Sequence, residues 1–212
     1  MSPDKKSIKT RQVLDKLRES GLLLEADPRL PSVVTLVIGH PIKGSWWGHP
    51  QGNLIFRLTR DLEDRHDVLR IKLISGKITY IHRKLWSRLI PVVACQAPWQ
   101  VENLSPVGIR LLSKVERSGI IRIDRLAKMG SQEARANKVA ANELENRLLV
   151  VTSEIHTETG THAKQLESWK HWATKKHLSV TQKDASLAIT ESEEAIKQAL
   201  GIAQVPELPW RP

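Results

Sequence analysis

Residues 68–82, VLRIKLISGKITYIH, alternate apolar and polar side chains on either side of Ser75-Gly76. Leu69, Ile71 and Leu73 alternate with Arg70 and Lys72, and Ile78, Tyr80 and Ile81 follow the turn. Period-two alternation around a Ser-Gly pair predicts a β-hairpin. Its parity puts Arg70 and Lys72 on one face and the three aliphatic residues on the other. Helical patterns flank it. Residues 7–20 space Ile8, Val13, Leu14 and Leu17 along one helix face, with Gly21 as the stop. Residues 52–63 do the same with Leu54, Ile55, Leu58 and Leu62, and residues 83–96 with Leu85, Trp86, Leu89 and Ile90. The run Val33–Ile38, bounded by Pro31 and Gly39, predicts a further strand. An α+β fold follows.

The chain has 212 residues, long enough for two small domains or one large one. It has no apolar run of membrane-spanning length, and the N-terminal MSPDKKSIKTRQ lacks the apolar core of a signal peptide. One cysteine, Cys95, excludes a disulfide framework and any multi-cysteine zinc site. A cytoplasmic protein is the simplest expectation. The formal net charge is +10, of which residues 1–99 carry +8 and residues 100–212 only +2. Such an excess points to a polyanion partner.

The second half opens on a helix near 105–117, with Ser105 at the N-cap and Pro106 in the first turn. IIRIDRLAKMG gives a short element, and residues 132–148 give a longer helix. A hairpin centred on Thr159-Gly160 and a helix in SWKHWATKKHL follow. In the tail, a capping box from Thr190 to Glu193 predicts one helix, and VPELPWRP reads as extended. These patterns divide the chain into a basic domain at 1–99, a domain at 100–178, and a tail at 179–212. Both halves place helices before a hairpin.

The segments SPVGIRLLSKVERSGIIRIDRLA, NKVAANELENRLLV and TSEIHTETGTHAKQLESW resemble a winged-helix DNA-binding domain over about a third of the chain. The shared order of the halves suggests winged-helix-like modules in tandem, followed by a C-terminal helix. The resemblance implies that residues 132–148 enter a major groove and that the hairpin touches the backbone. It implies donors from Arg135, Asn137, Lys138 and Asn142 on the helix. From the wing it implies His156, Thr159, His162 and Lys164. Glu133, Glu143 and Glu145 on the same helix oppose this unless they face away from phosphate. The chain is also similar, more faintly, to winged-helix DNA glycosylases. Their paired glutamines around one residue are absent here, since Gln96 and Gln100 are four apart.

HPIKGSWWGHPQG at 40–52 is the most unusual stretch. On an extended chain Trp46 and Trp47 face opposite ways, so one is buried and the other exposed. An exposed Trp beside Lys43 can stack on a splayed base. The plain alternative is a glycine-rich loop pinned by one buried Trp. Arg70, Lys72, Lys77, Arg83 and Lys84 form a second basic stripe that can track phosphates. His156 and His162 face each other across the hairpin, but no metal signature supports them. Asp61, Glu63, Asp64 and Asp67 read as a helix end neutralised by Arg65 rather than as a catalytic pair, and Cys95 reads as a core residue. No cofactor motif occurs.

The expectation is a duplex DNA-binding protein, regulatory or repair-associated, acting mainly through phosphate contacts and able to form a homodimer. A glycosylase-like repair hydrolase, with a flipped base held at Trp46 or Trp47, is one alternative. A protein-interaction module is the other.

Overall fold

A computed structural model describes residues 3–157, 160, 162–178 and 185–211. In chain order the elements begin with α1 (Pro3–Ser20), β1 (Leu22–Leu24), α2 (Val33–Ile38) and α3 (Gly52–Glu63). The hairpin β2 (Val68–Ile74) and β3 (Lys77–His82) follows, then α4 (Trp86–Val93) and α5 (Pro98–Val101). Next come α6 (Pro106–Ser118), β4 (Ile120–Arg122) and α7 (Gln132–Asn146). The chain ends with β5 (Val151–His156), β6 (His162–Glu167), α8 (Trp169–Lys175) and α9 (Ala185–Leu200). Single 3-10 turns occupy Arg83–Leu85 and Ile123–Arg125. The fold is α+β, with two small antiparallel sheets among the described residues.

Two compact units divide the chain. One takes residues 1–89 and 186–208, the other residues 90–185 and 209–212. Sequence patterning drew the line near 99 and set 179–212 apart. The structure draws it inside α4 and gives α9 to the first unit. There Ala188, Ala195, Ile196 and Leu200 are buried, and the Ser192 hydroxyl donates to the Arg88 carbonyl at 2.7 Å.

In the first unit β3 lies between β1 and β2. Ser75 and Gly76 both have positive φ, 49° and 66°, as a tight hairpin turn with right-handed strand twist requires. Leu69, Ile71 and Leu73 are buried while Arg70 and Lys72 are half-exposed, so the alternation holds. α1, α2 and α3 close one core through Val13, Leu17, Val34, Val37, Ile55, Leu58 and Tyr80.

Val33–Ile38 is a helix, not the expected strand. Ser32 caps it, accepting the Thr35 N–H at 3.2 Å, and Gly39 closes it in the left-handed conformation at φ 96°. A short apolar run is ambiguous by periodicity, and the two caps outweigh the β-preference of its valines. The strand is instead Leu22–Leu24, fully buried against β3.

In the second unit Ser105 caps α6 through the Gly108 N–H, as its sequence predicts. IIRIDR, the short element of the sequence, supplies β4 and a 3-10 turn. β6 lies between β4 and β5. Leu111, Val115, Ala141, Leu144, Leu149 and Leu166 form this unit's core. The tip of the hairpin, including Thr159, falls outside the described residues. Thr190 lies inside α9, where its hydroxyl donates to the Ser186 carbonyl, so the expected capping box does not start that helix.

The two units repeat one plan. Each runs helix, strand, short helical segment, longer helix and hairpin, and in each the last strand is central.

Candidate nucleic-acid interface

α7 presents Arg135, Lys138, Val139, Asn142 and Asn146 along one helical stripe. Arg135 and Lys138 are exposed, and no carboxylate among the described residues pairs with them. Val139 is 69% exposed, an apolar contact point that charge-based reading overlooked; its i+4 spacing from Arg135 was the available signal. The acids of this helix are mostly turned away. Glu143 accepts the Ser105 N–H at 3.0 Å and the Ser105 hydroxyl at 2.6 Å, locking α7 to the start of α6. Glu145 is buried and accepts from the Thr152 hydroxyl and the Lys164 ammonium, each at 2.7 Å. Glu133 alone of the three stays exposed. Asn137 does not reach the outward stripe: it is 9% exposed and lies beside α6.

The hairpin pairs His156 with His162, as the sequence symmetry suggests. His162 is exposed, 3.9 Å from Glu154. Lys164 is tied down, donating to Asn142 Oδ1 as well as to Glu145. Its ammonium therefore orients two α7 side chains.

In the first unit, the turn at Trp46–His49 folds Trp47 back over Trp46. The His49 N–H donates to the Trp46 carbonyl at 3.0 Å. One indole is buried and one exposed, at 5% and 67%. They do not face opposite ways: the rings stack with centroids 4.4 Å apart and planes 18° apart, because the chain turns here rather than extends. Trp46 is anchored by its N–H to Glu25 at 3.3 Å. Tyr80 donates to the same carboxylate, and burial pushes its phenol far above its ordinary range. Phe56 of α3, 39% exposed, lies 5.7 Å from Trp47. Gly52 makes this possible: a Cβ there would stand 3.0 Å from the Trp47 carbonyl oxygen and 3.2 Å from that of Trp46. Lys43 on the loop and Arg57 on α3 are both exposed. Phe56 and Arg57 were missed because α3 was read for its buried face alone.

The basic stripe of the first hairpin is largely engaged. Arg70 meets Glu63 at 3.0 Å, and Lys77 meets Asp27 at 2.5 Å. The Lys84 ammonium caps α1 at the Arg18 and Glu19 carbonyls. Lys72 is half-buried, whereas Arg83 is exposed. The acidic run behaves as a helix end. Arg65 grips Asp67 through two bonds of 2.7 and 2.8 Å, which holds that carboxyl below its ordinary range.

Gln100 is fully buried. Its NH2 donates to the Val93, Arg147 and Leu148 carbonyls, and its oxygen accepts the Ala97 N–H. This saturated amide braces the chain and has no capacity left for chemistry. Cys95 is exposed rather than core, its thiol donating to the Val92 carbonyl. Among the described residues no three His, Cys, Asp or Glu side chains converge as a metal site, and no helix is long and apolar enough to cross a membrane.

Comparison with protein-family models, curated proteins and solved structures finds no match to this chain.

Proposed function

We propose that the chain binds duplex DNA through two winged-helix-like units, chiefly by phosphate contact. In the second unit α7 is the reading helix and β5–β6 the wing. In the first, α3 and β2–β3 take those places, with Trp47 and Phe56 as an aromatic edge. The carrying observation is the outward stripe of α7. Arg135 and Lys138 are exposed there, unpaired with any carboxylate among the described residues, while Glu143 and Glu145 are held inward by Ser105, Thr152 and Lys164. Arg and Lys on such a stripe neutralise phosphates or read guanine edges, and Val139 offers apolar contact to a thymine methyl. The repeated element order supports the same reading for α3.

The test is duplex affinity across a salt series. A linear log–log plot with a slope of about −4 or steeper is expected for several neutralised phosphates. The pair Arg135→Ala and Lys138→Ala should make that slope shallower by about two. No binding at low salt overturns the reading and leaves a protein-interaction module.

A second reading rests on the exposed, rigidly backed Trp47, 67% exposed and stacked on Trp46. It is a repair hydrolase that holds an unstacked base there. It requires Trp47→Ala to abolish turnover on damaged duplex while undamaged binding survives. Equal loss of both rejects that division of roles.

A further inference from the structure

The second unit contains a groove of about 590 Å³ between α6 and the first half of α7. That is within the range of small-molecule sites. Its lining has three chemical parts. Leu111, Leu126 and Ala136 supply apolar walls. Arg110 and Lys114, one turn apart on α6, bring exposed cations to its rim, and no carboxylate among the described residues pairs with either. Asn137 lines the groove at 9% exposure, and among the described residues its amide atoms are not sealed off from it.

An amide at the groove wall can exchange hydrogen bonds with a ligand that has a matching edge. Asn offers a donor and an acceptor side by side, the pattern that pairs with an adenine edge. Apolar walls suit the faces of a flat ring. The paired cations suit a phosphate, aided by the N-terminus of α7, where Ser131 caps the Ala134 N–H. Glu133 also lines the groove, and a carboxylate opposes an anion. It sits in the first turn of α7 while the cations sit on α6, so a hydroxyl donor between base and phosphate would satisfy it.

We propose that this groove binds an adenine nucleotide, with the base at Asn137 and the phosphate at Arg110 and Lys114. The site uses a different face of α7 from Arg135 and Lys138. A ligand seated there therefore bears on the helix proposed to read DNA without covering its outward stripe.

The experiment is calorimetric titration of the full chain with AMP, adenosine and inorganic phosphate. AMP should bind saturably, with adenosine and phosphate each at least about tenfold weaker, since each lacks one half of the contacts. The exposed pair Arg110→Ala and Lys114→Ala should weaken AMP by about tenfold or more while leaving adenosine unchanged. Asn137→Leu, checked for an unchanged melting temperature, should abolish the preference for AMP over phosphate. If that variant unfolds, transfer of saturation from AMP to the Leu111 and Leu126 methyls reports the same seat. The Arg135→Ala and Lys138→Ala variant should bind AMP as the wild type does, which separates this site from duplex binding. A single-stranded oligonucleotide added in competition distinguishes the two sources of the ligand. Displacement of AMP identifies a nucleotide within a strand, and no displacement identifies a free nucleotide. The proposal is overturned if AMP gives no saturable heat at about 1 mM. It is equally overturned if phosphate binds as tightly as AMP, or if the Arg110 and Lys114 changes leave AMP affinity intact.

Discussion

Glu145 carries a carboxylate almost wholly out of water, with its side chain 5% exposed and Lys164 at 2.7 Å. Removing one partner of a buried pair leaves an uncompensated charge. Lys164→Met should therefore cost about 3–5 kcal/mol in urea unfolding. Adding Glu145→Leu to it should recover most of that loss, whereas Lys138→Ala on the exposed stripe should stay within about 0.5 kcal/mol. If Lys164→Met is silent, the pair does not orient α7. Gly52 sets a second residue-scale constraint. Gly52→Ala forces its Cβ against the Trp46 and Trp47 carbonyls, and overpacking of this kind costs about 1–3 kcal/mol. Displacement of Trp47 from its stack should shift Trp emission, and an unchanged spectrum refutes the account. The Trp pair shows what sequence reading can and cannot reach. One ring is buried and one exposed, as expected, but not for the expected reason, since the rings stack instead of facing opposite ways. That the rings stack depends on a turn whose Gly52 contact lies in the next element.

At the scale of elements, capping decided what periodicity could not. Val33–Ile38 has the composition of a strand, yet Ser32 and Gly39 make it a helix. Ser32→Ala should cost about 1 kcal/mol by chemical denaturation. The β2 strand begins beside a charge pair that gives the first unit a pH dependence. Arg65 holds the Asp67 carboxyl below its ordinary 3.8. A carboxylate with a lowered folded pKa stabilises the fold above its unfolded value, and that stability is lost as pH falls through the folded value. Unfolding free energy should therefore drop as pH falls below 3.8, and Asp67→Asn should flatten that limb. An unchanged acid limb in that variant assigns the drop to other carboxylates. His82, 3.7 Å from Asp67, has its pKa lowered chiefly by burial, so it stays neutral near pH 7.

On the scale of the whole molecule, the C-terminal helix belongs with the first unit although it follows the second in sequence. Truncation before Ser186 should lower hydrogen-exchange protection in Leu22–Leu24 and Lys77–His82 while Val151–His156 keeps its own. Equal loss in both hairpins would contradict the division. Although Ile8, expected on the apolar face of the first helix, is 49% exposed, the sequence by itself determined the α+β class, both hairpins, the buried faces of the helices at 52–63 and 86–93 and the Ser105 cap. Each rests on interactions within a few residues, which local patterning records. It also determined the basic excess that motivates a nucleic-acid partner. Tertiary structure alone decided which charges remain available. Arg70, Lys77, Lys84 and Lys164 are spent on Glu63, Asp27, α1 carbonyls and Glu145. Arg135, Lys138 and Arg57 are left facing water. A charge looks the same in sequence whether it is paired or free. Its partner here lies up to dozens of residues away, and only the folded chain brings the two within hydrogen-bond distance.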